Sequence, residues 1–554
     1  MSATGDLAAE LLSEALNLDP CAAVLDAGVD DISDLTDFSP AGHEARAEFA
    51  RSARTRLSSL RPEGHADALL RDHLLERMES RLNMNSAGEQ LRELNVALTG
   101  PLQMIAQTVQ AAVPGATTGA DHARGWAQVA LRLEAVPTAL ARYTDGLRCA
   151  AERGHVAAGR QIDEAVRRCS GWAEEANGLV ETYGDGVLAT GLSAAAKATA
   201  VAYGDFESFL TTELGPQASA PEAFGPERYP LWVRHFLGVD PDLRDLYDWG
   251  WEGVHSLDRE LARELRDFVP GGTLADAIER LDAPGGPGQM PTQEAFAGWL
   301  QQLLDDTMAR LDGVHFTIPE PIRRLECGLT RDASIFYIAP SQDLSRPGRV
   351  SWSVEGEPPY QTWAGYSIAF HEGVPGHHLQ LGLAAHRGDT LSQRLGVLGG
   401  LSACHEGWAL YAETLMDELG FFVAPGARLG FLLSQMLRAV RVVIDIGLHL
   451  GLRLPAGSGL ADGEVWTPRL ALQMLTERAF QGPSAEAELV RYLGRPGQAL
   501  AYKAGERVYL DVRNDVKAVK GADFNLAQFH DAVLSVGGAG LGHLRTELAR
   551  VTAY

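Results

Sequence analysis

Apolar residues recur at three- and four-residue intervals through most of the chain, and this spacing constrains the fold more than any other feature. From about residue 5 to 215 the sequence is rich in Ala, Leu, Glu and Arg, as in the stretch from Trp126 to Val136, and β-branched alternation is scarce. Such spacing is typical of amphipathic helices. We therefore expect a mainly helical protein with two regions, an N-terminal helical region over 1–215 that covers a cleft and a core over 216–554.

The second region combines helical patterns with one β-rich segment. Two β-rich runs between Ala333 and Val354 are separated by a polar connection that contains Pro347 and Gly348, which predicts a hairpin or small sheet. Proline- and glycine-rich connections precede it, near Pro216, Pro270 and Pro284. Helical patterns cover 257–268, 366–386, 395–419, 427–450, 468–479, 485–493, 498–517 and 526–534.

Composition excludes several classes of protein. The 554 residues carry a formal net charge of -25, which argues against nucleic acid as a partner because phosphate binding needs a concentrated basic surface. The five cysteines are scattered and form no Cys-x-x-Cys pair, so neither a disulfide framework nor a thiolate metal site is expected.

Location is predicted from two segments. The N-terminus lacks the basic and apolar regions of a signal peptide, so we expect a cytoplasmic protein. The most apolar stretch, 429–454, is interrupted by Arg438, Arg441, Asp445 and His449, so we expect no membrane span.

A histidine-rich run points to a metal site. His371 and Glu372 are followed by Gly-Val-Pro-Gly and then by His377 and His378. In an unbroken helix seven residues rise by about 10 Å, too far for two ligands of one ion. The Pro-Gly pair must therefore distort the helix, and either His377 or His378 then qualifies as the second ligand.

A carboxylate downstream completes the candidate site. Glu406 lies next to a glycine in a helical pattern, and we expect it to be the third ligand. Two imidazoles and a carboxylate suit Zn²⁺ with an open position for water. Glu372, adjacent to the first ligand, is placed to act as the general base on that water.

The same residues resemble known metallopeptidases. The segment from Glu406 to Glu413, Glu-Gly-Trp-Ala-Leu-Tyr-Ala-Glu, is similar to the zinc-ligand segment of aminopeptidase N-like enzymes. His-Glu-Gly-Val-Pro-Gly-His-His resembles the motif of the bacterial domain-of-unknown-function family 885 (DUF885), in the gluzincin-like superfamily. Similar pieces occur at 345–348, 441–449 and 495–505, and the likeness extends from about 231 to 543.

The resemblance implies a multi-helix metallopeptidase-like fold around a central cleft, with the small sheet beside the zinc helix. It also implies that Tyr502 and His449 lie in the functional core, where they would donate hydrogen bonds to an oxyanion. Ordinary buried hydrogen bonds are an equal alternative for these two side chains.

Function follows as an expectation with alternatives. We expect a zinc-dependent hydrolase of amide bonds in small peptides, with Arg441 or Lys503 binding a substrate carboxylate. A bridge between Arg441 and Asp445 that ties helices together is an alternative for the arginine. An amidase or carrier-releasing hydrolase on a modified amino-acid amide, and a non-catalytic metal-binding or scaffold protein, are alternatives for the whole chain.

Overall fold

The computed structural model describes residues 2–25, 28–29, 31–96, 100–114, 119–218, 221–330, 335–341, 343–354, 356–387, 398 and 401–552. The protein is mainly helical with small sheets, as predicted. It forms two compact units. The first comprises Met1–His235, Gly396–Gly399 and Glu486–Pro496, and the second comprises Phe236–Leu395, Gly400–Ala485 and Gly497–Tyr554.

The first unit is built from helices. Capping residues mark where these helices begin. The Ser39 hydroxyl accepts a hydrogen bond from the Gly42 amide (3.2 Å), and Pro40 occupies the first turn of the same helix. In chain order the helices are α1 (Ala3–Leu18), α2 (Pro20–Leu25), α3 (Pro40–Ser59), α4 (His65–Ser86), α5 (Glu89–Arg92), α6 (Pro101–Gln110), α7 (Ala120–Glu152), α8 (Gly159–Tyr183), α9 (Ala189–Phe209) and α10 (Gly225–Leu237), which ends at the boundary with the second unit.

Aromatic rings fill the core of the first unit where α7, α8 and α9 pack together. The rings of Tyr143 and Phe206 stack with centroids 5.5 Å apart, and those of Trp172 and Tyr203 stack at 5.7 Å. All four side chains are buried. Burial of such large apolar surfaces is the main stabilising contribution to a helical core.

The remaining helices lie in the second unit, apart from one that lies mostly in the first. A hydrogen-bonded capping box between Thr273 and Asp276 starts one of them. They are α11 (Leu243–Phe268), α12 (Leu274–Asp282), α13 (Gln293–Leu311), α14 (Gly365–Glu372), α15 (His377–His386), α16 (Ser402–Glu418), α17 (Ala427–Leu450), α18 (Pro468–Glu477), α19 (Ala485–Gly494, mostly in the first unit), α20 (Ala501–Lys520), α21 (Leu526–Leu534) and α22 (Leu541–Thr552). Short turns of other helix types are at Leu210–Leu214, Gly215–Gln217, Glu320–Ile322, Gly482–Ser484 and Gly521–Asp523.

Two small sheets precede the histidine-rich run. The strands are β1 (Gln289–Met290), β2 (Leu325–Thr330), β3 (Phe336–Ile338), β4 (Gly348–Ser353) and β5 (Tyr360–Gln361). The predicted hairpin is confirmed, because β3 pairs antiparallel with β4. The sequence did not predict β2, which pairs with β4 in parallel, so that β4 is the middle strand.

Most predicted helices of the second unit are present in the described residues. The bounds of α17 and α21 agree with the prediction, whereas the predicted helix over 366–386 is divided into α14 and α15. Part of the predicted helix over 395–419 lies outside the described residues. Within the described part of the chain, no helix has both the length and the hydropathy needed to cross a bilayer.

Candidate metal centre

The chain turns sharply between α14 and α15. Helix α14 ends at Glu372 and α15 begins at His377, so the predicted interruption by Pro375 and Gly376 is confirmed. Within the turn the Gly376 amide donates to the Phe370 carbonyl (3.0 Å). The turn therefore folds back on the end of α14, which carries the first histidine of the run.

Gly376 is required by this close approach. A Cβ atom at this position would lie 1.9 Å from the carbonyl oxygen of His371 and 2.5 Å from that of Phe370. Both contacts are with backbone atoms, which cannot rotate away as a side chain can. A residue without a side chain is therefore needed to bring the later histidines back toward His371.

Replacing Gly376 by Ala is expected to open the turn and to lower the free energy of unfolding by about 3 kcal/mol, because the clash is with backbone. Urea denaturation followed by tryptophan fluorescence measures this change. Gly382→Ala in α15 is the matched control, since its Cβ would lie 3.5 Å from Ile322 in ordinary contact. Equal stability of the two variants would show that the turn does not depend on Gly376.

Three predicted ligands converge at the turn. One ligand atom each from His371, His377 and Glu406 lies within 4.8 Å of the others. Glu406 Oε2 is 3.1 Å from His371 Nε2 and 3.7 Å from His377 Nε2. The side chains are largely buried, with 5 % of His371, 11 % of His377 and 22 % of Glu406 exposed. Among the described residues this is the group suited to hold a metal ion.

A second carboxylate orients His371. Its Nδ1–H donates to Glu413 Oε1 (2.7 Å), so its Nε2 faces Glu406. Burial alone would lower the pKa of His371, but the hydrogen bonds to Glu406 and Glu413 outweigh it and raise that pKa to about 10. Burial would raise the pKa of Glu406, and the two facing histidines reverse this effect and lower it. Each of the two groups therefore stabilises the charged form of the other.

The position and surroundings of Glu372 suit a base. It is the last residue of α14, directly after His371, and its side chain is 9 % exposed. Loss of hydration on burial raises the pKa of this carboxyl. A buried carboxylate with a raised pKa beside a metal site is the usual environment of a general base.

His378 points away from the three converging side chains. Its Nε2–H donates to the Ile322 carbonyl (2.8 Å), and its Nδ1 accepts from the Tyr337 hydroxyl (2.9 Å). Burial lowers the pKa of His378 to about 4, so the ring is neutral. Both nitrogens are engaged, and the structure therefore brings His377, and not His378, to the candidate site.

Glu406 is held by a close crossing of α16 and α20. A Cβ on Gly407 would lie 2.5 Å from the Cα of Gly505, and a Cβ on Gly505 would lie 2.0 Å from the Ala403 carbonyl oxygen. The adjacent Trp408 donates its indole N–H to the Pro375 carbonyl (2.9 Å). This hydrogen bond joins α16, which carries Glu406, to the turn that directly precedes His377.

Lys503 lies in a hydrogen-bonded chain behind Glu413. Its ammonium donates to Gln435 Oε1 (2.6 Å) and pairs with Glu506. The amide of Gln435 in turn donates to Glu413 Oε2 (3.3 Å). The ammonium therefore contacts partners within the protein, and its predicted role toward substrate stays a prediction.

The other predicted residues lie along α17 and at the start of α20. The guanidinium of Arg441 lies over the ring of Tyr502, 5.2 Å from its centroid. His449 and Asp445 are fully buried, with His449 Nε2 3.8 Å from Asp445 Oδ1. Asp445 also accepts from the Gly497 amide (2.7 Å). The oxyanion role of Tyr502 and His449 stays a prediction.

Two residues beside the centre were not assigned a role from the sequence. Glu413 follows Glu406 by seven residues, two helical turns along the same face, and this spacing was an available signal. Arg438 lies near Glu413, with Nη2 3.9 Å from Glu413 Oε1. It precedes Arg441 by one turn on α17, and only the tertiary structure distinguishes the two arginines.

Comparison with known proteins gives a family and two similar structures. The model of the family described as "Bacterial protein of unknown function (DUF885)" matches residues 22–548. A "putative lipoprotein" from Colwellia psychrerythraea is 20 % identical with a TM-score of 0.79, over 100 % of both chains. A "putative lipoprotein of unknown function" from Shewanella oneidensis is 18 % identical with a TM-score of 0.74, over 99 % of both chains. These likenesses show the fold. The search of curated proteins gave no match.

Proposed function

The chain belongs to the bacterial family DUF885, and we propose from its own residues that it is a zinc-dependent hydrolase that cleaves an amide bond of a small peptide. The observation that carries the proposal is the convergence of His371, His377 and Glu406 beside the buried carboxylate of Glu372. A metallopeptidase-like fold of the gluzincin type is part of the same proposal.

The three converging side chains fit zinc. Two imidazoles and one carboxylate are the donors that catalytic zinc sites use, and they leave a position open. His371 and His377 both turn Nε2 toward the same oxygen of Glu406, at 3.1 Å and 3.7 Å, so one ion could contact all three side chains. When bound, zinc supplies positive charge that lowers the pKa of a water molecule and polarises a carbonyl group.

Glu372 accepts the proton of the attacking water and later delivers it to the nitrogen of the leaving amine. Its raised pKa supports this role. A carboxyl group with the ordinary, lower pKa would hold a proton too weakly at neutral pH to deliver it to the leaving amine. Its place at the end of α14 puts it beside His371 without making it a fourth ligand.

Glu413 acts as a positioning residue. By accepting from His371 Nδ1 it fixes the tautomer in which Nε2 is available to a metal ion. Glu413 is itself oriented by the hydroxyl of Ser367 and the amide of Gln435. Tyr502 and His449 remain the proposed donors to the oxyanion, and Arg441 and Lys503 remain candidates for binding the substrate.

Removal of the metal tests the proposed function. The purified chain is assayed against a library of dipeptides and amino-acid amides before and after dialysis with a chelator, and again after one equivalent of Zn²⁺ is added. We expect hydrolysis to fall by at least about 100-fold on chelation and to return with zinc. Turnover that persists without metal would refute the proposal. Zinc bound at one per chain, with no turnover of any amide, would instead favour a non-catalytic protein.

The cytoplasmic location stays a prediction. Both similar structures carry the word lipoprotein in their names, which makes the bacterial envelope the alternative location. The proposed chemistry is the same in either compartment.

A further inference from the structure

One buried cation beside the candidate centre keeps unused hydrogen-bond donors. The side chain of Arg438, on α17, is 13 % exposed. Its Nη1 donates to both the carbonyl and the hydroxyl of Ser434. Its Nε is buried and has no hydrogen-bond partner among the described residues. A guanidinium has five N–H donors, so these contacts leave Arg438 with capacity for a further acceptor.

The carboxylate nearest to Arg438 has other donors. Glu413 accepts hydrogen bonds from His371, Ser367 and Gln435. The Nη2 of Arg438 lies 3.9 Å from Glu413 Oε1, which is beyond hydrogen-bond distance. At this distance the two groups form an ion pair without a hydrogen bond, so Nη2 and Nε of Arg438 keep N–H groups that a further acceptor could engage. Arg438 therefore has the surroundings of a site for an anion.

Arg438 is also close to the proposed reaction. The oxygen of Glu413 that faces its guanidinium is the same oxygen that accepts the hydrogen bond of the zinc ligand His371. Lys503, by contrast, donates closely to Glu506 (2.5 Å) and Gln435 (2.6 Å), whereas the ion pair of Arg438 with Glu413 is longer, at 3.9 Å. Of these two cations, Arg438 is the one with donors to spare near the centre.

We propose that Arg438 binds a carboxylate of the substrate, and that the substrates are therefore short amides with a free carboxylate, such as peptides with an unblocked C-terminus near the cleaved bond. The proposal rests on the proposed hydrolytic function and assigns its substrate class. Arginine suits this role because its planar fork can donate two parallel hydrogen bonds to one carboxylate.

The test compares matched acids and amides. N-acetyl dipeptides with a free C-terminus, and the same dipeptides as C-terminal amides, are titrated calorimetrically into the zinc-loaded Glu372→Gln variant, in which hydrolysis is blocked. We expect the best acids to bind about 10- to 100-fold more tightly than their amides, and Arg438→Gln in the same background to remove this preference while amide binding changes less than about twofold.

Two further variants keep the result interpretable. Arg438→Lys preserves the charge without the fork, so we expect an intermediate preference for acids even if Arg438→Gln fails to fold. Arg469→Gln is the control, because this arginine is 72 % exposed and its ion pair, with Glu464 at 4.0 Å, involves no residue of the candidate centre. We expect it to retain the full preference for acids.

Equal binding of acids and amides by the chain with Arg438 intact would overturn the proposal, as would a preference that survives Arg438→Gln. The proposed function fails by a different result. If zinc-dependent hydrolysis is found while acids and amides bind equally, only the assignment of Arg438 is wrong. If acids are preferred but no amide is cleaved with zinc present, the anion site stands and the hydrolytic function is wrong.

Discussion

Replacing Glu372 by Gln is expected to lower kcat/KM for amide hydrolysis by at least about 1,000-fold while the chain still binds one zinc ion. The amide has nearly the shape of the carboxyl group but cannot accept the proton of water, and general bases contribute rate factors of about 100 to 10,000. The measurements are steady-state kinetics and the zinc content of the purified protein.

Glu320→Gln is the matched control for this variant, because Glu320 is exposed and lies in a short turn before β2. We expect its kcat/KM and zinc content to equal those of the unmodified chain. Full activity in Glu372→Gln would exclude this residue as the base. Loss of zinc together with activity would make it a ligand or a structural residue instead.

The adjacent histidines are expected to respond in opposite ways to the same substitution. His377→Gln removes one of three proposed ligands. Loss of a group that only hydrogen-bonds to a ligand lowers metal affinity by up to about 100-fold, so we expect loss of the ligand itself to lower the zinc affinity by more than this. His378→Gln should retain zinc, because its nitrogens contact Ile322 and Tyr337 rather than the site. Competition with a chromogenic chelator measures both affinities.

His378→Gln carries its own expected effect. Loss of its two buried hydrogen bonds should lower the free energy of unfolding by about 1–3 kcal/mol, measured by urea denaturation. The pair of variants therefore separates metal binding from stability at neighbouring positions. Zinc loss in His378→Gln with normal affinity in His377→Gln would reverse the assignment of the second ligand.

The sequence predicted much of the helical structure because the signal is local. Helix α17 follows a long apolar periodicity and is capped by Gly451, whose positive φ of 60° is easily adopted only by glycine. The interruption after Glu372 was also predictable, since Pro375 and Gly376 could not continue a helix with both histidines on one ion.

The choice between His377 and His378 could not be predicted in the same way. Both follow the same turn, and the direction of each ring depends on the dihedral angles at Gly373 to Gly376, which the sequence leaves open. The pairing of β2 with β4 was missed for a related reason. A parallel pair joins segments distant in sequence, and no hairpin turn marks it.

Electrostatic roles were the hardest to predict. Lys503, Arg441 and Arg438 all occur in polar positions of helical patterns, and the sequence alone could not say which cation has a carboxylate beside it. Lys503 and Glu506 are three residues apart on one helix, so the sequence alone could suggest their ion pair. Only the structure shows that Lys503 also donates to Gln435, so that the ammonium has two partners within the protein.

The indole of Trp408, which joins the helix of Glu406 to the Pro375 carbonyl, has a consequence for how the proposed ion would be acquired. Because this hydrogen bond joins the two parts of the protein, the positions of the proposed ligands are set by contacts within the chain itself. Binding an ion would then require no refolding. Divalent ions differ in affinity for such donors but also compete by abundance. Under the proposed function, the geometry of the three ligands and the supply of ions would together decide which ion is bound in the cell.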